Sequence, residues 1–189
     1  MQTSIRLILL AILSLLIGAA HAGAKDELKA AIGKFTTARS YHVTMTHSGP
    51  QGMTTEADFV APDRFRMKMP MGTQIMIGDT MFMQMEGRTM KVPMPKGTLT
   101  QWRDPAYIRE HEATMTVKPL GIDMLDGKPA KKYLVTDTKP EPSTSTMWIG
   151  GNGYPLQIQV NSKVQGKAVS TTIRYSRFND PAIKIAPPK

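Results

Sequence analysis

The stretch "MKMPMGTQIMIGDTMFMQMEGRTMKVPMP", residues 67–95, contains nine of the 15 methionines in a chain of 189 residues. Apolar and polar residues alternate within it over short runs, which Gly78-Asp79 and Glu86-Gly87 separate. Alternation with a period of two is typical of half-buried β-strands, and two-residue turns of this composition connect antiparallel neighbours. The stretch therefore predicts an antiparallel meander in which the methionines share a face.

The two turns predict which residues lie opposite one another. If each turn has two residues, Met76 lies opposite Met81, Met83 lies opposite Met90, and Met81 lies opposite Val92. Opposite residues of an antiparallel pair share a face of the sheet. The predicted common face of these strands consists of Met76, Met81, Met83, Met90, Val92 and Met94.

The preceding strand, predicted over Arg64 to Met71, shows the clearest alternation. Its apolar side carries Phe65, Met67, Met69 and Met71. Its other side carries Arg64, Arg66 and Lys68. One side of this strand is therefore apolar and the other is polar. In the next strands, Ile75, Ile77 and Phe82 fall opposite to the methionines, which indicates that the second face is also partly covered.

Three interpretations of the methionines remain open from their pattern. They fill a core, since the chain after residue 22 has six leucines against fourteen methionines. They line a cavity, because the unbranched, polarizable side chain of methionine adapts to irregular apolar partners. They bind Cu(I), a soft ion that accepts thioether ligands. The spread of the methionines over three strands argues against a single metal site.

The rest of the chain predicts two helices and further short strands. Lys25 to Ala38 has the apolar spacing of an amphipathic helix, and Ala106 to Glu112 predicts a second helix with Asp104 as N-cap and Pro105 at its first position. The other predicted strands are Tyr41–Thr46, Met53–Val60, Thr73–Ile77, Thr80–Met85, Thr89–Met94, Thr114–Lys118, Gly121–Leu125, Lys131–Asp137, Ser145–Ile149, Leu156–Asn161 and Val169–Phe178.

The N-terminus has the features of a cleavable signal peptide. A short segment with one positive charge precedes the apolar run 7–20, and Ala20-His21-Ala22 has the small-x-small form of a cleavage site. We therefore expect residues 1–22 to be removed during export to the periplasm, leaving residues 23–189 as a single domain. The chain has no cysteine, which excludes disulfides and thiolate metal sites.

Composition and motifs favour a binding protein over an enzyme. The net charge is +9, but the basic residues are dispersed, and an exported protein is not expected to bind nucleic acid. The chain contains neither a Gly-x-Ser-x-Gly elbow nor an HExxH helix, and Glu110-His111-Glu112 is best interpreted as a solvated helix end. We therefore predict no catalytic residues, no cofactor and no dedicated metal site.

The order of these elements resembles the LolA-like lipoprotein-carrier superfamily, including members of the LppX and LprG type and the lipid-sensing domain of RseB. The resemblance covers nearly the whole chain after residue 22. The segments that carry it are "SYHVTMTHSGPQGMTTEADFVAPDRFRMKMP", "IGDTMFMQMEGRTMKVPMP", "GKPAKKYLV", "MWIGGNGYPLQIQV" and "TIRYSRFNDPAIKIAPP".

The resemblance implies an α+β fold: a strongly curved antiparallel sheet, an unclosed half-barrel of about 11 strands, with helices covering its concave apolar face. It also implies a carrier or chaperone of the outer-membrane lipoprotein sorting type, which binds lipid, acyl chains or an acylated lipoprotein and meets a membrane or membrane-protein partner. We call the surface that would line the cavity the methionine face: Phe65, Met67, Met69, Met71, Met76, Met81, Met83, Met90, Val92 and Met94.

This chain departs from the family's pattern at two points. Ala61 stands where the carriers have a basic residue before the turn proline, and the central hairpin is rich in methionine where theirs is rich in aromatic residues. Two alternative functions therefore remain beside the carrier: a periplasmic methionine-rich protein that binds Cu(I), and a regulatory module that senses lipid.

Overall fold

The computed structural model describes residues 23–48, 52–69, 72–85, 87–138, 142–164 and 167–188. The expected signal peptide, residues 1–22, lies outside the described residues, and so does Met71 of the methionine face. In the described ranges, helix α1 spans residues 23–36 and helix α2 spans Pro105–Thr114, after a short 3-10 helix at Gln101–Arg103. No helix there is both long enough and apolar enough to cross a membrane.

The described residues form eleven strands of one sheet. They are β1 (Ser40–Ser48), β2 (Met53–Val60), β3 (Arg64–Met69), β4 (Gly72–Ile77), β5 (Thr80–Met85), β6 (Arg88–Pro93), β7 (Met115–Leu125), β8 (Lys128–Asp137), β9 (Ser143–Gly150), β10 (Pro155–Val164) and β11 (Lys167–Ser176).

All neighbouring strands are antiparallel, in the order β6-β5-β4-β3-β2-β1-β11-β10-β9-β8-β7. Apart from β6 and β7, consecutive strands are neighbours, because their connections are too short for anything but a hairpin. The pairing of β1 with β11 joins the two ends of the chain. Strands β6 and β7 are the two edges and do not pair with each other, so the predicted α+β unclosed half-barrel is confirmed.

The predicted registers of the methionine hairpins are confirmed. Met76 pairs with Met81, Met83 pairs with Met90, and Met81 pairs with Val92. The first turn contains Gly78 at φ +56, a left-handed conformation that glycine adopts without a steric penalty. The local turn residues thus set the pairing of β4, β5 and β6.

One predicted break in the sheet is wrong. Separate strands were expected over 114–118 and 121–125, but β7 runs without interruption over Met115–Leu125 and pairs with β8 along its length. The register shifts between Pro119 and Gly121, and Gly121 has φ +93. A β-bulge absorbs the extra residue here, and bulges use the same residue types as turns.

The predicted cap of α2 is confirmed, because the Asp104 carboxylate accepts a hydrogen bond from the Ala106 N–H at 2.7 Å and Pro105 follows at the first helical position. Helix α1 ends at residue 36, before the expected Ala38. Helix α2 contains no buried residue. The helical cover of the sheet therefore comes mainly from α1.

Helix α1 packs on one half of the sheet, and we call the face that it covers the inner face. Leu28 is fully buried, and Ala24 and Ala31 are nearly so. They pack against strand residues from β7, β8 and β9: Met115, Val117, Tyr133, Val135 and Ile149. The apolar stripe of α1 and the alternating residues of these strands thus form one core.

A second core forms at the centre of the inner face around Phe59, which has no solvent exposure. The ring of Phe59 lies 4.8 Å from the rings of both Tyr41 and Phe65, measured between centroids. These distances are typical of favourable aromatic pairs. We call the following set the aromatic cluster: Phe35, Tyr41, Phe59, Phe65, Trp102, Tyr154, Tyr175 and Phe178.

The opposite, outer face is partly covered by the C-terminal segment, residues 180–188. Ile183 and Ile185 of this segment are buried. The Arg64 guanidinium donates a hydrogen bond to the Ile185 carbonyl at 3.0 Å, and the Ser40 hydroxyl donates to the Asp180 carbonyl at 3.0 Å. This segment supplies cover on the face that carries Ile75, Ile77 and Phe82, which the sequence pattern could not identify.

An ion-pair cluster ties β1, β2 and β3 together on the outer face. The nearly buried Asp58 carboxylate lies 2.6 Å from Nη2 of Arg66 and 2.8 Å from Nδ1 of His42. Burial by itself raises the pKa of Asp58, but hydrogen bonds from Arg66 and His42 outweigh it and hold the pKa below its usual value. The carboxylate is thus ionised and structural.

We expect Phe59→Ala to lower the free energy of unfolding by about 3–5 kcal/mol, because it removes a fully buried ring from the aromatic cluster. Phe82→Ala is the matched control, since Phe82 is a partly exposed phenylalanine on the outer face, and should cost about 1 kcal/mol. Urea unfolding followed by circular dichroism measures both. Equal losses in the two variants would contradict the central position of Phe59.

Candidate functional site

The methionine face continues the inner face beyond the aromatic cluster. In the strand register, Phe59 pairs with Phe65, Phe65 with Met76, Met76 with Met81, and Met81 with Val92. Opposite residues share a face, so this row runs from the buried centre to the edge strand β6. The predicted hairpin set and the predicted β3 set therefore lie on one face.

A second row lies beside the first. Ala57 pairs with Met67, Met67 with Gln74, Gln74 with Met83, and Met83 with Met90. Met69 pairs with Gly72 one step further on β3. Met94 follows the end of β6, and its N–H donates to the Asp79 carbonyl at 2.8 Å. Of the methionine face, only Met71 is outside the described residues.

The methionine face is partly exposed. None of its nine described members is buried, whereas Phe59 in the same row is fully buried. Met90 is 57% exposed, and Met85, on the same face of β5, is 38% exposed. A packed core would exclude water from such side chains. These methionines therefore form an apolar surface that remains accessible beside the core.

The segment after β6, residues 94–104, forms one border of this surface. It leaves the edge strand and returns to the aromatic cluster, where Trp102 lies 5.8 Å from Phe59 and 5.4 Å from Phe35, between ring centroids. Leu99 within it is buried. The segment therefore begins at Met94 of the methionine face and ends on the aromatic cluster.

Arg103 attaches residues 94–104 to the aromatic cluster and to the residues that follow α1. Its guanidinium lies 4.9 Å from the centre of the Phe59 ring, and its Nη2 donates to the Ala38 carbonyl at 3.3 Å. Its Nη1 is buried and has no hydrogen-bond partner among the described residues. Burial lowers the pKa of Arg103 from its usual value, but the side chain stays charged at neutral pH. A cation therefore lies against the aromatic cluster.

A cavity of about 560 Å³ lies at the other end of the inner face, between α1 and the strands β7, β8 and β9. Its apolar lining includes Ala30 and Ala31 of α1, Ile122 of β7, Pro129 of β8 and Ile149 of β9. Ile122 is 75% exposed. A volume of this size is typical of small-molecule sites. We call this space the α1 cavity.

Charged groups border the α1 cavity. The Glu27 carboxylate accepts a hydrogen bond from Nζ of Lys131 at 2.7 Å and another from the Tyr133 hydroxyl. These two hydrogen bonds hold the pKa of Glu27 below its usual value, and burial raises the pKa of Tyr133. Lys34 donates to the Asn152 carbonyl at 2.6 Å. Polar side chains therefore border the apolar lining, and two of them, Glu27 and Lys34, belong to α1.

The sequence pattern did not identify the α1 cavity. Its residues come from α1, from the hairpin of β7 and β8, and from the glycine-rich loop after β9. Ile122 looked like an ordinary alternating strand residue. The structure identifies the cavity, because it shows the large apolar side chain of Ile122 exposed beside α1.

The side chains of His111 and Glu112 of α2 make separate contacts with other elements. Nδ1 of His111 lies 3.1 Å from the Asp137 carboxylate on β8, and Glu112 pairs with Lys29 of α1 at 3.6 Å. Within the ranges that the structure describes, no group of three or more His, Cys, Asp or Glu side chains could hold a metal ion. These residues connect elements of the fold.

No protein-family model matches the chain, and no curated protein sequence matches it. Solved structures do match. LppX, a lipoprotein of Mycobacterium tuberculosis, has a TM-score of 0.66 and 13% identity, over 87% of this chain and 99% of that chain. LprF from Mycobacterium bovis has a TM-score of 0.64 and 15% identity, over 88% of this chain and 97% of that chain.

Identities of this size show the fold alone. The chain has the fold of LppX and LprF, so the curved half-barrel expected from the resemblance to the LppX type is confirmed. The ligand of this chain has to be argued from its own residues, because the same fold hosts different functions.

We expect Glu27→Gln to lower the free energy of unfolding at neutral pH by up to about 1 kcal/mol, since Glu27 is largely exposed. The folded-state pKa of Glu27 is depressed, so its contribution is present above the unfolded-state pKa and is lost as the pH falls through the folded-state value. The difference between wild type and variant should therefore vanish in acid. Urea unfolding across a pH series measures this.

Asp26→Asn is the matched control for that series, because Asp26 is the neighbouring exposed acid of the same helix. It should change the stability less than Glu27→Gln does, because Glu27 holds Lys131 and Tyr133 of β8. A wild-type advantage over Glu27→Gln that persists at low pH would contradict the electrostatic role of Glu27.

Proposed function

We propose that the chain is a non-enzymatic carrier or chaperone that binds the acyl chains of a lipid or an acylated lipoprotein on its inner face. The observation that carries this proposal is the presence of two accessible apolar surfaces on that face. One is the methionine face, and the other is the α1 cavity of about 560 Å³.

Burial of hydrocarbon supplies the binding free energy in this proposal. At about 25 cal/mol per Å², some 400 Å² of acyl-chain surface contributes roughly 10 kcal/mol before the costs of association and ordering. The face needs no reactive group for this task. Methionine side chains adapt to chains of different shape, so one surface can accept several cargoes.

The fold and the N-terminal sequence support the cellular setting of this proposal. The LolA-like fold is compatible with a carrier of the outer-membrane lipoprotein sorting type, which receives or delivers cargo at a membrane or membrane protein. Residues 1–22 have the features of a signal peptide, so we propose export to the periplasm and a mature single domain of residues 23–189.

Native mass spectrometry of the protein purified from the periplasm tests the proposal. We expect adducts with the mass of an acylated lipid or peptide, released on denaturation, and a polypeptide that begins at Gly23. A polypeptide that retains residues 1–22 would contradict the export step. The carrier itself would be contradicted if the protein carried no acyl adduct and also failed to bind a fluorescent fatty acid in titration.

Met83→Glu should weaken acyl-chain binding by about tenfold or more, because it places a carboxylate on the methionine face that an acyl chain would desolvate. Gln84→Glu is the matched control, since the next residue of β5 carries the same new charge on the outer face. Displacement of a fluorescent fatty acid measures both affinities. Equal affinity of the two variants would mean that acyl chains do not bind on the methionine face.

Ile122→Glu tests the α1 cavity separately. Ile122 lines the cavity, whereas the control Met124→Glu places the same charge two residues further along the same edge strand, at a side chain that is 60% exposed. Because both side chains are exposed, neither variant should lose much stability. We expect Ile122→Glu alone to reduce the number or affinity of bound chains. Identical titrations of both variants would exclude the cavity as a binding site.

A further inference from the structure

We infer that Met76, Met81, Met83 and Met90 form a binding site for a soft monovalent metal ion, Cu(I). This inference goes beyond the proposed carrier function and does not depend on it. It rests on the strand register, which brings together side chains that the sequence distributes over three strands.

The four thioethers occupy neighbouring positions on β4, β5 and β6. Met76 is directly opposite Met81, and Met83 is directly opposite Met90. Directly opposite residues have Cβ atoms about 5 Å apart. Met81 and Met83 are two residues apart on β5 and lie on the same face, so the two pairs adjoin. The four residues still lie on three strands, but the strand pairing makes their side chains neighbours on one face.

The chemistry of these ligands selects the ion. Thioether sulfur is a soft, neutral donor that suits Cu(I), whereas hard divalent ions require oxygen ligands. The described part of the chain has no cluster of three or more His, Cys, Asp or Glu side chains that would compete for a hard ion. A site of this composition favours Cu(I), or its spectroscopically silent analogue Ag(I), over Mg²⁺ and Ca²⁺.

The four side chains are accessible and adaptable. Met76, Met81 and Met83 are partly exposed, and Met90 is 57% exposed. An unbranched methionine side chain has three rotatable bonds, so it can turn its sulfur towards an ion without moving the backbone. Leucine would keep this surface apolar, but it lacks both the flexible unbranched chain and the sulfur ligand of methionine.

Thioether ligands also predict a distinctive pH response. Cysteine and histidine must lose a proton before they bind a metal, which makes the affinity of such sites depend on pH. A thioether carries no proton at any relevant pH. Cu(I) affinity at this site should therefore be the same at about pH 5.5 and about pH 7.5. These two values lie below and above the pH range in which a histidine side chain usually titrates.

An anaerobic Cu(I) titration in competition with a chromophoric Cu(I) chelator tests the site. We expect the wild-type protein to remove Cu(I) from the chelator, with equal affinity across the pH series, and the double variant Met81→Leu/Met83→Leu to lose about tenfold or more in affinity. Leucine conserves volume and apolarity, so the fold should be retained. A thermal melt of each variant verifies this.

The control is Met53→Leu/Met124→Leu, which removes two thioethers that are 47% and 60% exposed but lie outside the four-residue site. It should bind Cu(I) as the wild type does. Methionine-methyl NMR with Ag(I) provides a second readout, in which the signals of the four site residues should shift most. No transfer of Cu(I) from the chelator, or equal losses in the two double variants, would overturn the inference.

Parallel titrations of the wild-type protein separate this inference from the carrier function. One titration measures the transfer of Cu(I) from the chelator, and the other measures the binding of a fluorescent fatty acid. A wild-type protein that binds Cu(I) but no fatty acid supports the metal site and contradicts the carrier, and the reverse result contradicts the metal site.

Discussion

The register of the antiparallel strands is the constraint on which the rest of the structure depends. Side chains alternate between the faces of a sheet with a period of two, so a slip of one residue would turn a strand's methionines to the other face. The tight turn after Ile77 and the pairing of Met85 with Arg88 hold the register of β4, β5 and β6. One continuous inner face results, from the strands under α1 through Phe59 to Met90.

The dimensions of the elements explain why this face is covered unevenly. At about 1.5 Å per residue, the described part of α1, residues 23–36, is about 21 Å long. Eleven strands spaced about 4.8 Å apart measure roughly 48 Å across. One helix of this length cannot cover such a sheet. The aromatic cluster covers the centre of the inner face, and the inner side of β4, β5 and β6 remains an accessible apolar surface.

Methionine gives that surface two properties at once. Its hydrocarbon and polarizable sulfur present an adaptable apolar surface to a flexible chain, and the same sulfur is a ligand for a soft ion. The burial and the strand register of each methionine determine which of these roles it can have. Methionines such as Met115 are buried under α1 and serve packing, whereas Met83 and Met90 are accessible and adjacent.

Local signals in the sequence determined the hairpin registers, the common face of the methionines and the N-cap of α2 at Asp104, because turn residues and alternation act between near neighbours in the chain. Only the tertiary structure decided where α1 packs, that a bulge at Pro119 joins two expected strands, and that a cavity opens beside Ile122. These features depend on contacts between residues far apart in the chain. Such contacts form where shapes and volumes fit, and no local pattern of residue types specifies that fit.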